Sequence, residues 1–231
     1  MKQGLRAVVA LGAIVASVTG VQAQEAEVSA NVALTTNYVY RGITQTDDGP
    51  AIQGGFDVSY GGWYGGTWAS SVDFGDDTTM EIDFYGGYAG SITETISYDV
   101  GAIYYAYPDS PDIGGGQQDF YEIYGGLSKS FGGVLDAGFS VAYSPEFYGE
   151  TGESLYYLGS LSYAAGENVS VDFTYGVSSF EENMNQDYQD YSAGATYSCP
   201  KTGLDLGLTY YGTTALMDNT STLVFSVGKS M

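Results

Sequence analysis

The sequence predicts an all-β protein, a transmembrane up-and-down antiparallel barrel of about 12 strands. Three observations carry this prediction. From residue 28 onward, apolar side chains recur at every second position in about a dozen segments, each near the ~10 residues that a tilted spanning strand needs. The connections between segments alternate between short turns and longer polar loops. The chain also holds 34 glycines and 23 tyrosines, which within alternating segments indicate strands whose backbones approach closely.

The N-terminus has the pattern of an export signal. A positively charged start is followed by an apolar run over residues 7–18 and by a small-residue cleavage site. A membrane anchor is the alternative, but the run is shorter than the roughly 20 residues that a spanning helix needs. We expect residues 1–23 to be a cleaved signal peptide and residues 24–231 to form an outer-membrane barrel.

The first predicted strand ends in the stretch NYVYRG. Tyr38 and Tyr40 belong to its apolar parity, so we expect them at the lipid interface. Arg41 has the opposite parity and is expected to point into the lumen near the loop end of the strand. Residues 42–49 are then expected to be the first outer loop.

The later segments continue the alternation. In the segment after the first short turn, Tyr64 and Trp68 belong to the apolar parity and are expected to face lipid. Five short turns and six longer loops follow from these segments, which places both termini on the short-turn side. A soluble barrel or sandwich with an apolar packed interior is the alternative. Tyrosines at the ends of the apolar faces and a Ser/Thr/Gly-rich opposite face favour the membrane barrel.

Carboxylates within the segments have the polar parity. A membrane barrel requires this, because a charge on the lipid face is strongly disfavoured. The expected pore-lining acids are Asp57, Asp73, Glu81, Asp83, Asp99, Glu122, Asp136, Asp172, Asp190 and Asp205. Up-and-down topology places half of them in an acidic zone near the periplasmic mouth. Five inward tyrosines are expected to narrow or close the pore: Tyr85, Tyr105, Tyr124, Tyr156 and Tyr211.

Arg41 is the single arginine after the leader, and three roles are open for it. An ion pair with lumenal carboxylates would hold the barrel in register, as buried charges are usually paired. Direct contact with an anionic solute is the second role, and a solvated position at the loop base is the third. We favour the ion pair.

Charge and composition exclude several classes of protein. Without the leader, four basic residues stand against 28 acidic ones, a net charge of −24, which argues against nucleic-acid binding. The chain has no histidine, so a Ser-His-Asp triad and a histidine-ligated metal site are excluded. We expect no enzyme activity, no cofactor and no metal site.

Residues 30–74 also resemble a known family. The stretches YVYRGITQT, PAIQGG and GWYGGTWAS are similar to motifs of the TorF family, porin-like proteobacterial outer-membrane proteins of unknown function. The resemblance implies a barrel and names no substrate. The chain departs from the usual barrel ending, because it closes with LVFSVGKSM and not with a terminal aromatic residue.

The expected function is passive diffusion of small solutes or ions across the outer membrane of a Gram-negative bacterium. A lumen lined by carboxylates predicts a preference for cations. The expected partners are outer-membrane lipid, the permeating solutes and the outer-membrane assembly machinery. The alternative is a non-conducting barrel with a structural or surface-interaction role.

Overall fold

The structure is a computed structural model that describes residues 25–108, 110–111, 117–181, 186–215 and 221–231. The expected signal peptide lies outside these residues. In the described ranges, no helix is long and apolar enough to cross a membrane.

Alternating sequence produces strands throughout the described chain. The strands are β1 (Glu27–Thr35), β2 (Val39–Tyr40), β3 (Ile43–Thr44), β4 (Ala51–Tyr60), β5 (Trp63–Ser71), β6 (Met80–Ser91), β7 (Ile96–Ala106), β8 (Phe120–Phe131), β9 (Leu135–Ser144), β10 (Ser154–Ala164), β11 (Val169–Phe180), β12 (Tyr188–Ser198), β13 (Asp205–Thr213) and β14 (Thr222–Ser230). Twelve of them form one closed barrel, and β2 and β3 form a separate two-stranded sheet. The predicted fold class is confirmed.

Antiparallel pairing closes the barrel without a free edge. β1 pairs with β14, with Asn31 opposite Ser230, and with β4, with Glu27 opposite Ser59. The start of β1 and the end of β14 therefore lie at the end of the barrel that carries the short turns. Closure satisfies the backbone groups of every strand, which a bilayer requires.

The outer face of the barrel is apolar. Large exposed side chains such as Phe56, Phe84, Leu127 and Leu208 share one parity of their strands. The carboxylates within the twelve barrel strands all have the opposite parity and face the lumen. This division is the one that a lipid-facing barrel needs.

Strand β5 corrects the expectation for Tyr64 and Trp68. Tyr60 pairs with Trp63 across the two-glycine turn, and Trp63 is 65% exposed on the outer face. Tyr64 and Trp68 consequently point inward, and Trp68 is only 5% exposed. The predicted parity of β5 is wrong because aromatic side chains lie on both faces of this strand, so hydrophobicity does not mark its lipid side.

The stretch after β1 is a second correction. β1 ends at Thr35, and the next residues fold back into the lumen as the β2–β3 hairpin, in which Tyr40 pairs with Ile43. Arg41 and Gly42 form its turn with φ of 48° and 79°, the combination that a tight type I′ hairpin uses. Tyr38 is only 3% exposed, so it faces the lumen and not lipid.

Side chains at the base of the hairpin hold it in place. Asn37 donates to Asp48 at 2.7 Å, and the Thr46 hydroxyl donates to the Gly49 carbonyl at 2.6 Å. The backbone N–H of Gln45 donates to the Tyr38 carbonyl at 2.7 Å. The segment expected as a free outer loop is therefore a structured insert inside the barrel. We call residues 37–48 the inward hairpin.

Candidate functional site

The lumen collects nine of the ten predicted acids. Those of the outer half, near the longer loops, are Glu81, Asp83, Glu122 and Asp190, and all four are buried. Those near the short turns are Asp57, Asp99, Asp136, Asp172 and Asp205, which remain partly exposed. Asp73 differs, because it follows the end of β5 and is exposed in a loop.

Arg41 lies at the tip of the inward hairpin and pairs with Glu122 of β8. Its Nη2 atom donates to both carboxylate oxygens at 2.7 Å, and the two side chains are 8% and 2% exposed. The guanidinium also lies 4.1 Å from the ring centroid of Tyr156 and 4.8 Å from that of Tyr40. Burial opposes the charge of Arg41, but the Glu122 carboxylate raises the pKa of the guanidinium above its ordinary value.

The hairpin crosses the lumen to the opposite wall. A side chain at Gly42 would place its Cβ 2.8 Å from the Cβ atoms of Asp190 on β12 and Thr213 on β13. Glycine is therefore required at this position both by its φ and by the close approach. The tip is wedged between β8 on one side and β12 and β13 on the other.

Aromatic packing fills the space beside the hairpin. The Tyr38 ring meets Trp68 edge-to-face at a centroid distance of 5.5 Å, and its hydroxyl donates to Glu81 at 2.7 Å. Tyr40 meets Tyr105 at 5.9 Å, and Tyr105 stacks on Phe120 at 4.4 Å. The outer half of the lumen is thus a packed layer of aromatic rings and carboxylates.

The outer loops cover this layer. Phe147 and Tyr148, from the loop after β9, pack on Phe120 at centroid distances of 4.7 and 6.4 Å. The Tyr148 hydroxyl donates to Gln118, which is only 1% exposed. The inward hairpin is enclosed between these loops and the middle of the barrel.

In the middle of the lumen, tyrosine side chains lie along the wall of the barrel. The Tyr64 hydroxyl donates to Asp99 at 2.6 Å and lies 2.6 Å from the Tyr124 hydroxyl. These rings cover glycines of the neighbouring strands, because a Cβ at Gly101 would meet the Tyr124 Oη and Cζ atoms at 2.5 and 2.6 Å. Gly87 has the same relation to Tyr64. Cross-strand Tyr–Gly pairs therefore keep bulky side chains against the wall.

The five inward tyrosines predicted to narrow the pore fall into different positions. Tyr105 and Tyr156 are buried beside the hairpin at 6% and 7% exposure. Tyr85 and Tyr124 are partly exposed in the middle of the lumen, where Tyr85 donates to Asp57. Tyr211 points inward on β13 and is partly exposed. The two most buried of the five tyrosines therefore lie at the level of the inward hairpin.

The lumen near the short turns is lined by acids and hydroxyls. Ser170 donates to Asp172 at 3.1 Å, and Ser198 donates to Asp205. Asp136 lies directly opposite Ser130 and Ser162 on the neighbouring strands. Polar side chains therefore line this end of the lumen.

The part of the chain that the structure describes contains no cluster of metal-binding side chains. Its His, Cys, Asp and Glu side chains form no group of three or more that could hold a metal ion. Three of the lumenal acids have buried oxygens without a hydrogen-bond partner: one oxygen each of Asp99 and Asp190, and both oxygens of Asp83.

The inward hairpin is the feature that the sequence analysis missed. The sequence does contain a signal for it. Arg41-Gly42, between Tyr40 and Ile43, is compatible with a tight turn, and such a turn would end the first strand early. The inward positions of Tyr64 and Trp68 were also not predicted, because aromatic residues of this strand were assigned to the lipid face.

Comparisons with known proteins agree with the barrel. A family model described as "Bacterial protein of unknown function (Gcw_chp)" matches residues 21–229. We found no curated protein sequence that matches the chain significantly.

Solved structures of outer-membrane channels share the fold. The KdgM porin has a TM-score of 0.62 at 9% identity, covering 87% of this chain and 97% of its own. The NanC porin has a TM-score of 0.57 at 12% identity, covering 87% and 98%. The COG4313 outer membrane channel from Pseudomonas putida F1 has a TM-score of 0.56 at 9% identity, covering 88% and 94%. At these identities the likeness establishes a porin-like fold.

Proposed function

The chain belongs to the Gcw_chp family of bacterial proteins of unknown function, and we propose that it is an outer-membrane diffusion channel that prefers cations. One observation carries the cation preference. Nine strand carboxylates expected to line the pore face the lumen, and Arg41, the only basic side chain placed there by the described residues, is already paired with Glu122. Uncompensated carboxylates raise the local concentration of cations and lower that of anions.

The setting proposed for this channel is the outer membrane of a Gram-negative bacterium. The apolar outer face, the closed sheet and the similarity to outer-membrane channels support it. The outer-membrane assembly machinery and outer-membrane lipid are its proposed partners. The TorF resemblance of the opening motif agrees with the same role, and we keep that family name as a proposal.

The permeating solutes are proposed to be small and neutral or cationic. A KdgM porin structure holds disordered oligogalacturonate, a chain of carboxylate-bearing sugars. The short-turn end of the present lumen carries Asp136, Asp172 and Asp205 with no basic side chain among the described residues that line it. A polyanion would be repelled there, so we do not extend that solute to this protein.

The alternative is a non-conducting barrel with a structural role, and the inward hairpin favours it. Trp68, Tyr105, Tyr156 and Val224 point inward from different strands in the outer half, and each is less than a tenth exposed. Conduction through such a barrel depends on the space left around the inward hairpin or on displacement of the hairpin.

Planar-bilayer recordings of the refolded protein test the proposal. Under a KCl gradient, the sign of the reversal potential is expected to show cation preference. The triple variant Asp136→Asn, Asp172→Asn, Asp205→Asn is expected to reduce this preference. Asp73→Asn is the matched control, because it removes a carboxylate outside the lumen.

Two results would count against the proposal. Anion preference in the wild-type protein would overturn the cation selectivity. Absence of conductance both in the wild type and in Arg41→Ala, which removes the ion pair at the hairpin tip, would instead support the non-conducting barrel.

A further inference from the structure

Four carboxylates are buried in the layer of the lumen that surrounds the inward hairpin. They belong to Glu81, Asp83, Glu122 and Asp190, each 5% exposed or less. Arg41 is the single cation that the described residues place among them, so this layer would carry a net charge of −3 with all four acids ionised. Buried charges without compensation are so unfavourable that such groups take up protons instead. Some of the four carboxylates are therefore protonated as long as the layer stays closed.

The hydrogen bonds of the layer single out Asp83. Glu122 accepts from Arg41, and Glu81 accepts from Tyr38, in both cases at 2.7 Å. Asp83 is 0% exposed, and neither of its oxygens has a hydrogen-bond partner. Its ionised form is therefore the least stabilised of the three. A proton removes this charge, and the Glu81 carboxylate, two positions along the same inward face of β6, offers an acceptor for the resulting hydroxyl.

The other titratable groups that face Asp83 do not compensate its charge. Two are the carboxylates of Glu81 and Glu122. The rest are tyrosine hydroxyls from the hairpin, from β6, from β7 and from the segment after β7: Tyr38, Tyr85, Tyr105 and Tyr107. Tyrosine hydroxyls are neutral below about pH 9. Near neutral pH, the groups around Asp83 whose charge can change are therefore carboxylates.

The inward hairpin is the part of the enclosure that is not built into the barrel wall. Its strands β2 and β3 form a two-stranded sheet of their own. Tyr38 of the hairpin packs on Trp68 at a centroid distance of 5.5 Å, and Trp68 lies directly opposite Asp83 on the adjacent strand. An ionised Asp83 needs water. Displacement of the hairpin admits water to this layer without opening the closed sheet.

We infer that protons on Asp83 and its neighbouring carboxylates keep the inward hairpin in place, and that the outer lumen opens as the pH rises. The closed layer binds more protons than the hydrated open one, so low pH favours closure and high pH favours opening. For each proton released, the ratio of open to closed molecules rises about tenfold per pH unit. As the regulation of a channel, this inference rests on the proposed function, whereas the hairpin movement itself is measurable without conduction.

Tryptophan accessibility reports the movement of the hairpin. The chain has two tryptophans: Trp68 is 5% exposed and packs on the hairpin, and Trp63 is 65% exposed on the outer face. In Trp63→Phe, quenching of the remaining tryptophan by acrylamide, an uncharged molecule, measures access to the outer lumen. The quenching constant is expected to rise severalfold from about pH 5.5 to about pH 8.5, a range in which exposed carboxylates stay ionised.

Three variants serve as comparisons. Asp83→Asn in the Trp63→Phe background is neutral at every pH and is expected to remove most of the rise. Asp172→Asn in the same background removes a partly exposed lumenal carboxylate and is expected to keep the rise. Trp68→Phe leaves Trp63 on the outer face, so its quenching is expected not to depend on pH.

Two results overturn the inference. One is a quenching constant of Trp63→Phe that is the same at both ends of the pH range, and the other is a rise that Asp83→Asn leaves unchanged. If Asp83→Asn does not fold, the series of Trp63→Phe against Trp68→Phe still decides whether the hairpin is released as the pH rises. Quenching without pH dependence leaves the reversal-potential result untouched. Absence of conductance at every pH refutes the channel and leaves the quenching result valid, so the two proposals are tested separately.

Discussion

Substitution of Arg41 by alanine tests the role of the inward hairpin most directly. The change removes the guanidinium that contacts both Glu122 oxygens at 2.7 Å and leaves Glu122, 2% exposed, without its cationic partner. Removing one member of a buried ion pair costs about 3–5 kcal/mol. For a domain of this size such a loss lowers the midpoint of thermal unfolding by roughly 10 °C.

The hairpin has a second way to respond, which conductance measures. If its tip moves away from the wall, Glu122 becomes hydrated and part of the penalty is relieved. The outer lumen then opens, so Arg41→Ala is expected to raise single-channel conductance as well as to lower thermal stability. An arginine that served only to contact anionic solutes would change selectivity and leave stability unaltered.

A double-mutant cycle separates the ion pair from the lost side-chain volume. Glu122→Gln alone leaves Arg41 buried without its anionic partner and is expected to be destabilising. The double variant Arg41→Ala, Glu122→Gln is expected to be more stable than Arg41→Ala, because position 122 no longer carries a buried charge without its partner. Lys129→Ala is the control, since Lys129 lies exposed on the outer face, 5.1 Å from the Phe131 ring centroid. The reasoning is refuted if Arg41→Ala matches Lys129→Ala in both midpoint and conductance.

Two further predictions concern the packed wall. In Gly101→Ala the new Cβ would lie 2.5 Å from the Tyr124 Oη atom and 2.7 Å from the Gly86 carbonyl oxygen, so this variant is expected to force the tyrosine ring toward the pore axis, to strain the β6–β7 pairing and to lower conductance. Gly125→Ala, whose Cβ would find its nearest atom at 3.7 Å, should behave as wild type, and equal conductance in both variants would contradict the wall-packing account. Tyr38→Phe removes the donor to Glu81 and is expected to cost about 1.5–3 kcal/mol in chemical denaturation. Tyr60→Phe, on the exposed outer face, should cost little, and a similar loss in both would show that the buried hydrogen bond is not the cause.

The barrel itself was predictable from the sequence because its rule is local. A strand with one face in lipid and one in water must alternate, and a charge on the lipid face is too costly to persist. For the same reason the parity of five acids predicts that they lie on the lumenal wall: Asp57, Asp99, Asp136, Asp172 and Asp205. The two-residue turn at Gly61-Gly62 and the count of twelve barrel strands followed from the same periodicity.

The contents of the lumen were not predictable in this way. Tyr38 and Trp68 are apolar in the sequence, and a periodic pattern cannot distinguish an aromatic side chain that faces lipid from one that packs against a hairpin inside the barrel. Their positions depend on contacts with residues that are distant in the chain, such as Glu81 for Tyr38, which is 43 positions away.

The sequence by itself determined that a closed barrel forms, since alternation and the cost of charge in lipid act residue by residue. Only the tertiary structure decided that the chain turns inward after Thr35, that Arg41 pairs with Glu122, and that Asp83 is left without a partner. These features arise when strands far apart in sequence enclose a common space, where the charge and volume of each side chain must be matched by the others.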